Sequence, residues 1–168
     1  MKILVAILLL VAGVSAPLGA TYANPAEEYQ LVGEGRLKWF FFDVYDAKLL
    51  TPSGSYQAAR WPLALELTYR RDISAEAFVV ATEKEWDRMG LAFEPEWLAE
   101  LGEIFPDVSD GDRILLHVDK DGKCLFYFNG NYIGSVAGLD FTKVFTAIWL
   151  SDDVRYPALR DKLIGRSQ

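Results

Sequence analysis

The strongest constraint on the fold lies in residues 113–136, where short apolar segments alternate with tight turns. Asn129-Gly130 closes one of these turns, and this dipeptide favours the type I′ turn of a two-residue β-hairpin. The segments rich in residues that favour strands are 114–118, 123–128 and 132–136. We therefore predict a three-stranded antiparallel meander in this part of the chain.

Two earlier regions also have the composition of strands. Residues 30–50 are rich in aromatic and β-branched side chains, are interrupted by Gly33 and Gly35, and end at the turn sequence 51–54. We interpret them as one long bent strand or as a hairpin. Residues 63–70 alternate apolar with polar side chains, which is the period of a strand with one buried face.

Four segments have the spacing of amphipathic helices. The first follows Ser74, a favourable N-cap residue, and ends at Gly90. The second begins at Pro95, which suits a first helical turn, and stops before Pro106. The last two are predicted at residues 141–150 and 157–165.

The order of these elements predicts an α+β fold in which antiparallel strands are covered by helices on one face. No repeat, low-complexity tract or linker divides residues 24–168, so we predict a single domain there.

Residues 1–23 have the pattern of a secretory signal peptide. Lys2 precedes a run of about 12 apolar residues, well short of the ~20 that a transmembrane helix needs, and small residues follow the run. We predict cleavage after Ala23, with cleavage after Ala16 or Ala20 as alternatives. The predicted product is exported to the periplasm or secreted, and has no stable membrane anchor.

Charge and cysteine content narrow the function further. The chain has a formal net charge of −7, so an unaided nucleic-acid role is not expected, because phosphate binding needs a basic face. Cys124 is the single cysteine and cannot form an internal disulfide. Its position on a predicted strand indicates a small buried hydrophobic residue.

The usual signatures of catalytic or metal sites are absent from the sequence. His117 is the single histidine and has no partners at metal-ligand spacing, so we predict neither a metal nor a cofactor. The glycines of the sequence Gly33-Glu-Gly-Arg36 indicate a bulge or a bend in a strand rather than a phosphate loop. Glu83, Glu85 and Asp87 alternate with cations on the first helix, which is typical of a solvated face and disfavours glycosidase chemistry.

Three blocks of the sequence resemble the chalcone isomerase-like family, in particular its exported bacterial branch. One is a glycine-led strand, 33–49, that contains Val44-Tyr45. Another is Tyr69-Arg-Arg-Asp-Ile73, followed by a helix that ends in Trp86-Asp-Arg-Met-Gly90. The third joins residues 104–112, 128–134, 141–150 and 159–165.

The resemblance implies an open-faced β-sandwich, in which a large antiparallel sheet and the helices on one of its faces enclose an apolar cleft. Plant enzymes of the family close a chalcone to a flavanone with an arginine, a tyrosine, an asparagine and threonines around this cleft. Other members are non-catalytic and bind fatty acids.

The family's catalytic positions can be carried over to this sequence. The strand threonine falls at Phe40, the tyrosine at Ser74 and the asparagine at Ala81. The helix threonine falls near Ala147, with Thr146 adjacent, and Arg36 is the nearest candidate for the arginine. Stabilising an enolate needs donors aimed at one oxygen, and neither Phe40 nor Ala81 has one.

We therefore expect an exported, non-catalytic protein that binds a fatty acid or another apolar small molecule. Aromatic rings, Trp39 among them, would form the walls of the cleft, and either of two arginines would meet a carboxylate. The predicted ligand-binding residues are Arg36, Tyr45, Tyr69, Arg70, Trp86, Thr146 and Trp149. Two alternatives remain open. One is an intramolecular lyase acting on an enone or chalcone-like phenol, with Tyr69, Arg70 or Thr146 as active groups. The other is a structural or partner-binding envelope protein.

Overall fold

The structure is a computed structural model and describes residues 24–166. Its centre is one six-stranded antiparallel sheet in which the strands lie side by side in chain order. The strands are β1 (Gln30–Trp39), β2 (Phe42–Thr51), β3 (Leu63–Tyr69), β4 (Arg113–Val118), β5 (Cys124–Phe128) and β6 (Asn131–Val136). The region 30–50 is therefore a hairpin, and the predicted meander is confirmed.

Four helices complete the fold: α1 (Ala75–Arg88), α2 (Pro95–Ile104), α3 (Leu139–Leu150) and α4 (Pro157–Leu163). The predicted N-cap is confirmed, since the Ser74 hydroxyl accepts a hydrogen bond from the Ala77 amide at 3.1 Å. Gly90 has a φ of +63° just after the helix, as expected for a residue that ends one. Within residues 24–166 no helix is both long and apolar enough to cross a membrane.

The core lies between the sheet and the helices, because alternate residues of each strand face the helices. Leu65, Leu116 and Phe126 are paired across β3, β4 and β5, and all three are buried. Trp86 of α1 and Phe145 of α3 pack from the other side. The α+β class and the helices on one face of an antiparallel sheet are as predicted.

The opposite face of the sheet is mostly polar, with one small apolar cluster. Ala26 and Tyr29, which precede β1, pack there with Ala64 and Leu115. His117 also lies on this face, where its Nε2 is 3.1 Å from the Tyr29 hydroxyl. The histidine thus has a structural partner on the sheet, away from the helices.

Helix α4 lies unusually close to β1, and two glycines make this possible. A Cβ atom at Gly33 would overlap the carbonyl oxygen of Lys162, and one at Gly35 would lie 2.8 Å from Cδ1 of Leu159. The pairing of β1 with β2 also shifts register between Leu31 and Gly33, so the predicted irregularity of the strand, a bulge or a bend, is confirmed. These glycines therefore have a packing role, which the sequence alone did not indicate.

Candidate ligand-binding cleft

A cleft of about 530 Å³ opens between the β1–β3 part of the sheet and helices α1, α3 and α4. Leu37, Tyr45, Leu67 and Tyr69 form its sheet side. The helix side is formed by residues from α1, α3 and α4 and from the loop that joins the last two, among them Phe78, Ala81, Ile148, Trp149, Val154 and Leu159. The volume is within the range of small-molecule sites, roughly 300–1,000 Å³.

Small side chains on α1 leave part of this space open. Ala77 and Ala81 are one helical turn apart, both line the cleft, and both are exposed in spite of their position over the sheet. Phe78 lies between them and packs against Phe105, with ring centroids 3.9 Å apart. The Phe78 ring therefore packs against the core, whereas the methyl groups of Ala77 and Ala81 line the cleft.

Three aromatic side chains with polar atoms meet in the cleft. Trp149 donates a hydrogen bond from Nε1 to the Tyr45 hydroxyl at 3.0 Å. Tyr45 and Tyr69 are paired across β2 and β3, and their rings meet edge to face at 6.1 Å. Burial raises the pKa of both tyrosines well above the ordinary value, so both stay neutral and act as hydrogen-bond donors and acceptors rather than bases.

Tyr69 differs from Tyr45 in its hydrogen bonding. The residue is 3% exposed, yet its hydroxyl makes no hydrogen bond with any residue between 24 and 166. The hydroxyl oxygen is not enclosed by the protein and opens onto the cleft that Tyr69 lines. In the cleft, this hydroxyl is available to a bound molecule.

One rim of the cleft contains a buried acid between two arginines. Glu85 accepts hydrogen bonds from Arg88 at 2.9 and 2.8 Å and from Arg155 at 2.8 Å. Burial by itself would raise the pKa of Glu85, but the hydrogen bonds from the two arginines outweigh it and the pKa is lowered. The prediction that Glu85 lies on a solvated face is wrong, because the loop after α3 brings Arg155 over this helix.

Cations also line the mouth. Arg160 of α4 is largely buried; its Nε donates to the Leu150 carbonyl at 2.9 Å and its Nη2 lies 2.6 Å from Asp152. Arg155 and Lys84 also line the cleft. An apolar space with positive groups at its edge suits a molecule with a long apolar part and an acidic end.

Arg36 and Arg70, the two arginines predicted to meet a ligand, lie on the other face of the sheet and do not line the cleft. Both pair with Asp46, and the Arg70 contact is 2.6 Å. Hydrogen bonds from Arg36 and Arg70 lower the pKa of Asp46 to about 2, despite partial burial. The reason is strand alternation: Tyr45 faces the helices, so its neighbour Asp46, and Arg36 paired with it, face away.

Trp86 and Thr146, also predicted ligand-binding residues, are part of the packed core and not of the cleft wall. Trp86 is fully buried and donates from Nε1 to the Val144 carbonyl at 3.0 Å. Thr146 is buried and donates to the Thr142 carbonyl at 2.7 Å. Of the seven predicted residues, the structure brings Tyr45, Tyr69 and Trp149 together in the cleft, joined by Trp39.

The positions carried over from the catalytic relatives do not assemble a donor set. Ala81 lines the cleft with a methyl group, Phe40 lies at the exposed end of the β1–β2 hairpin, and Ser74 caps α1. No histidine or cysteine is among the residues that line the cleft. Over the described ranges no group of three His, Cys, Asp or Glu side chains could hold a metal ion. The arrangement can enclose and orient a molecule.

The sequence profile of the chalcone isomerase-like family matches residues 9–165. The chain belongs to this family. It is also similar to an uncharacterized protein of Haemophilus influenzae, with 28% identity over 148 residues that cover 87% of this chain and 73% of the relative.

Among solved structures, the fold is similar to that of a fatty-acid binding protein of Arabidopsis thaliana. The TM-score is 0.66 at 13% identity, over 83% of this chain and 88% of the other. At this identity the similarity establishes the shared fold, which for this family is the sheet with its helical layer.

Proposed function

We propose that the protein is a non-catalytic binding protein whose cleft holds a fatty acid or another apolar small molecule with an acidic end. The main support is the cleft itself, about 530 Å³ of space lined mostly by apolar side chains. The shared fold with a protein described as fatty-acid binding is further support.

The arrangement of side chains suggests how such a ligand would lie. Its apolar part would contact Phe78, Ile148 and Leu159, and its acidic end would meet the cationic mouth. Arg155 uses Nε for Glu85, which leaves its two terminal nitrogens for an acidic ligand, with no competing hydrogen bond from residues 24–166. Charged hydrogen bonds of this kind are short and strong.

Occupancy of the cleft can be tested by filling it. We expect native mass spectrometry of the gently purified protein to show one bound molecule, and a fluorescent fatty acid to titrate one site. Ala81→Trp would place an indole in the cleft and abolish binding, whereas Val80→Trp, an exposed neighbour on α1 that does not line the cleft, would not. A ligand-free mass with no titration, or equal binding by both variants, would refute the proposal.

The role of the cationic mouth can be tested with matched ligands. Palmitic acid should bind more tightly than its methyl ester, by about tenfold, which corresponds to roughly 1.4 kcal/mol. Arg155→Ala should remove this preference. Arg113→Ala, at a surface arginine 3.7 Å from Glu66, should keep it. Equal affinity for acid and ester in the unaltered protein would place the acidic end elsewhere.

We further propose that residues 1–23, which lie outside the described residues, direct export to the periplasm or the medium. The mature protein would carry no stable membrane anchor. Cell fractionation and N-terminal sequencing of the recovered protein test this, with Asn24 as the expected first residue. Recovery of the full-length chain in the cytoplasm would contradict it.

A further inference from the structure

The end of the β1–β2 hairpin carries four consecutive aromatic residues, which we call the aromatic tip: Trp39 ends β1, Phe40 and Phe41 form the turn, and Phe42 begins β2. Their exposed fractions are 54%, 77%, 96% and 63%. An aromatic side chain has roughly 150–250 Å² of surface, so the aromatic tip presents several hundred Å² of contiguous apolar area. Patches of this size on a protein surface usually mark an interaction site.

The fold itself does not explain the aromatic tip. Phe40 has a φ of +54°, in the left-handed region that glycine and asparagine adopt more easily than a bulky side chain. Replacing it with glycine or asparagine would relieve the backbone and remove exposed apolar surface. Strained residues of this kind concentrate at functional sites.

The surroundings of the aromatic tip favour a lipid bilayer as its partner. The guanidinium carbon of Arg71 lies 5.9 Å from the centre of the Phe42 ring. Lys38, which precedes Trp39, is 64% exposed, and its Nζ lies 3.5 Å from Asp43. Aromatic rings with cations beside them are the pattern of segments that lie at the interface between lipid tails and headgroups. The aromatic tip also extends beyond β3, because the pairing of β2 with β3 begins at Tyr45 whereas β1 and β2 stay paired as far as Trp39 and Phe42.

The aromatic tip is continuous with the cleft. Trp39 belongs to both, and Leu37, two residues earlier on the same face of β1, also lines the cleft. A poorly soluble ligand that entered beside Trp39 could pass between bilayer and cleft with little exposure to water. A protein-binding tip would not need to adjoin an apolar cavity.

We propose that the aromatic tip inserts reversibly into the interfacial layer of a lipid bilayer and places the Trp39 side of the cleft against it. Apolar insertion drives this contact, so it does not require anionic lipid, in line with the net charge of −7. Lys38 and Arg71 would lie at the level of the headgroups. The contact is peripheral and does not depend on the identity, or the presence, of a ligand in the cleft.

Flotation with vesicles of phosphatidylcholine alone, and of phosphatidylcholine mixed with phosphatidylglycerol, tests the proposal. We expect the protein to float with both, and the double variant Phe40→Ser/Phe41→Ser to lose about tenfold or more in vesicle affinity. The control Leu31→Ser/Leu139→Ser removes two side chains that are each 49% exposed, at the opposite end of the sheet, and should float like the unaltered protein. Circular dichroism would confirm that each variant is folded.

A second measurement locates the contact. Brominated phosphatidylcholine should quench tryptophan fluorescence in the unaltered protein but much less in Trp39→Phe. Of the other four tryptophans, Trp86 and Trp149 are buried, and Trp61 and Trp97 are half-buried and lie outside the aromatic tip. Failure to float with either vesicle would overturn the proposal, as would equal loss of binding in both double variants. So would a dimer that forms without lipid and is lost in Phe40→Ser/Phe41→Ser. The cleft proposal is judged separately by ligand titration in the absence of vesicles.

Discussion

The contact between α4 and β1 gives a graded prediction for three glycine-to-alanine substitutions. At Gly33 the new methyl group would overlap the Lys162 carbonyl oxygen and lie 2.8 Å from that of Leu163. Both atoms belong to the backbone, so the helix end must move. At Gly35 the nearest atom is Cδ1 of Leu159, also at 2.8 Å, on a side chain that can rotate. At Gly102 in α2 the nearest atom is Cγ2 of Val79 at 3.8 Å, an ordinary contact.

The expected changes in the free energy of unfolding depend on which neighbouring atoms must move to make room for the new methyl group. Overpacking costs typically 1–3 kcal/mol and more where backbone is displaced, so we expect a loss of about 3 kcal/mol for Gly33→Ala. A rotating side chain should limit the loss to about 1 kcal/mol for Gly35→Ala. Gly102→Ala should be neutral or stabilising by about 0.5–1 kcal/mol, because alanine is the better helix former.

Urea unfolding followed by tryptophan fluorescence measures all three differences. Because Leu159 and Arg160 of α4 line the cleft, Gly33→Ala should also weaken ligand binding. The expected order of stability is Gly102→Ala above the unaltered protein, then Gly35→Ala, then Gly33→Ala. A Gly33→Ala protein as stable as the unaltered one would refute the close approach of α4 to β1.

Three further predictions concern particular side chains, and a fourth concerns catalysis. Tyr45→Phe leaves the Trp149 indole without its hydrogen-bond acceptor and should lower the free energy of unfolding by about 1–2 kcal/mol. Tyr69→Phe breaks no hydrogen bond among the described residues and should lower it by less than about 0.5 kcal/mol. Urea unfolding measures both changes. Because the pKa of Glu85 is lowered in the fold, its carboxylate stabilises the fold fully at pH values above the unfolded pKa near 4.5. This contribution is lost as the pH falls through the folded pKa. The free energy of unfolding, measured from pH 7 to pH 3, should therefore fall less in Glu85→Gln than in the unaltered protein. Burial raises the pKa of Cys124 to about 12, so iodoacetamide should label this thiol at pH 8 in urea but not in the folded protein. Naringenin chalcone should cyclise at the same spontaneous rate with and without the protein, as measured by the loss of its visible absorbance. A faster rate that Tyr69→Phe abolishes would support the lyase alternative.

Elements defined by local signals could be predicted from the sequence. The hairpin at Asn129-Gly130, the N-cap at Ser74 and the helix start at Pro95 each depend on a few neighbouring residues, and the structure has all three. Asn129 and Gly130 both have positive φ, as a type I′ turn requires. The fold class followed from the order of these elements together with the family resemblance.

The cleft could be predicted only in part, because its geometry depends on contacts between distant parts of the chain. Glu85 has the local pattern of a solvated residue, and its partner Arg155 is 70 positions away. To predict which face of the sheet Arg36 and Arg70 occupy, the register of β1 and β2 must be known, because a shift of one residue exchanges the two faces. Trp86 is an aromatic residue with a polar atom, the type expected in a ligand-binding cleft. It is nevertheless fully buried in the core, where its ring packs against Phe93 and Trp97.

The strand order gives this sheet a simple assembly route. Each strand is hydrogen-bonded only to the strands that precede and follow it in the chain, so every pair of strands is joined by a direct connection. The longest of these connections is the segment between β3 and β4, which contains α1 and α2. Such proximity reduces the entropy lost when two strands meet. A polypeptide that emerges gradually, amino terminus first, can thus pair each new strand with the strand made just before it.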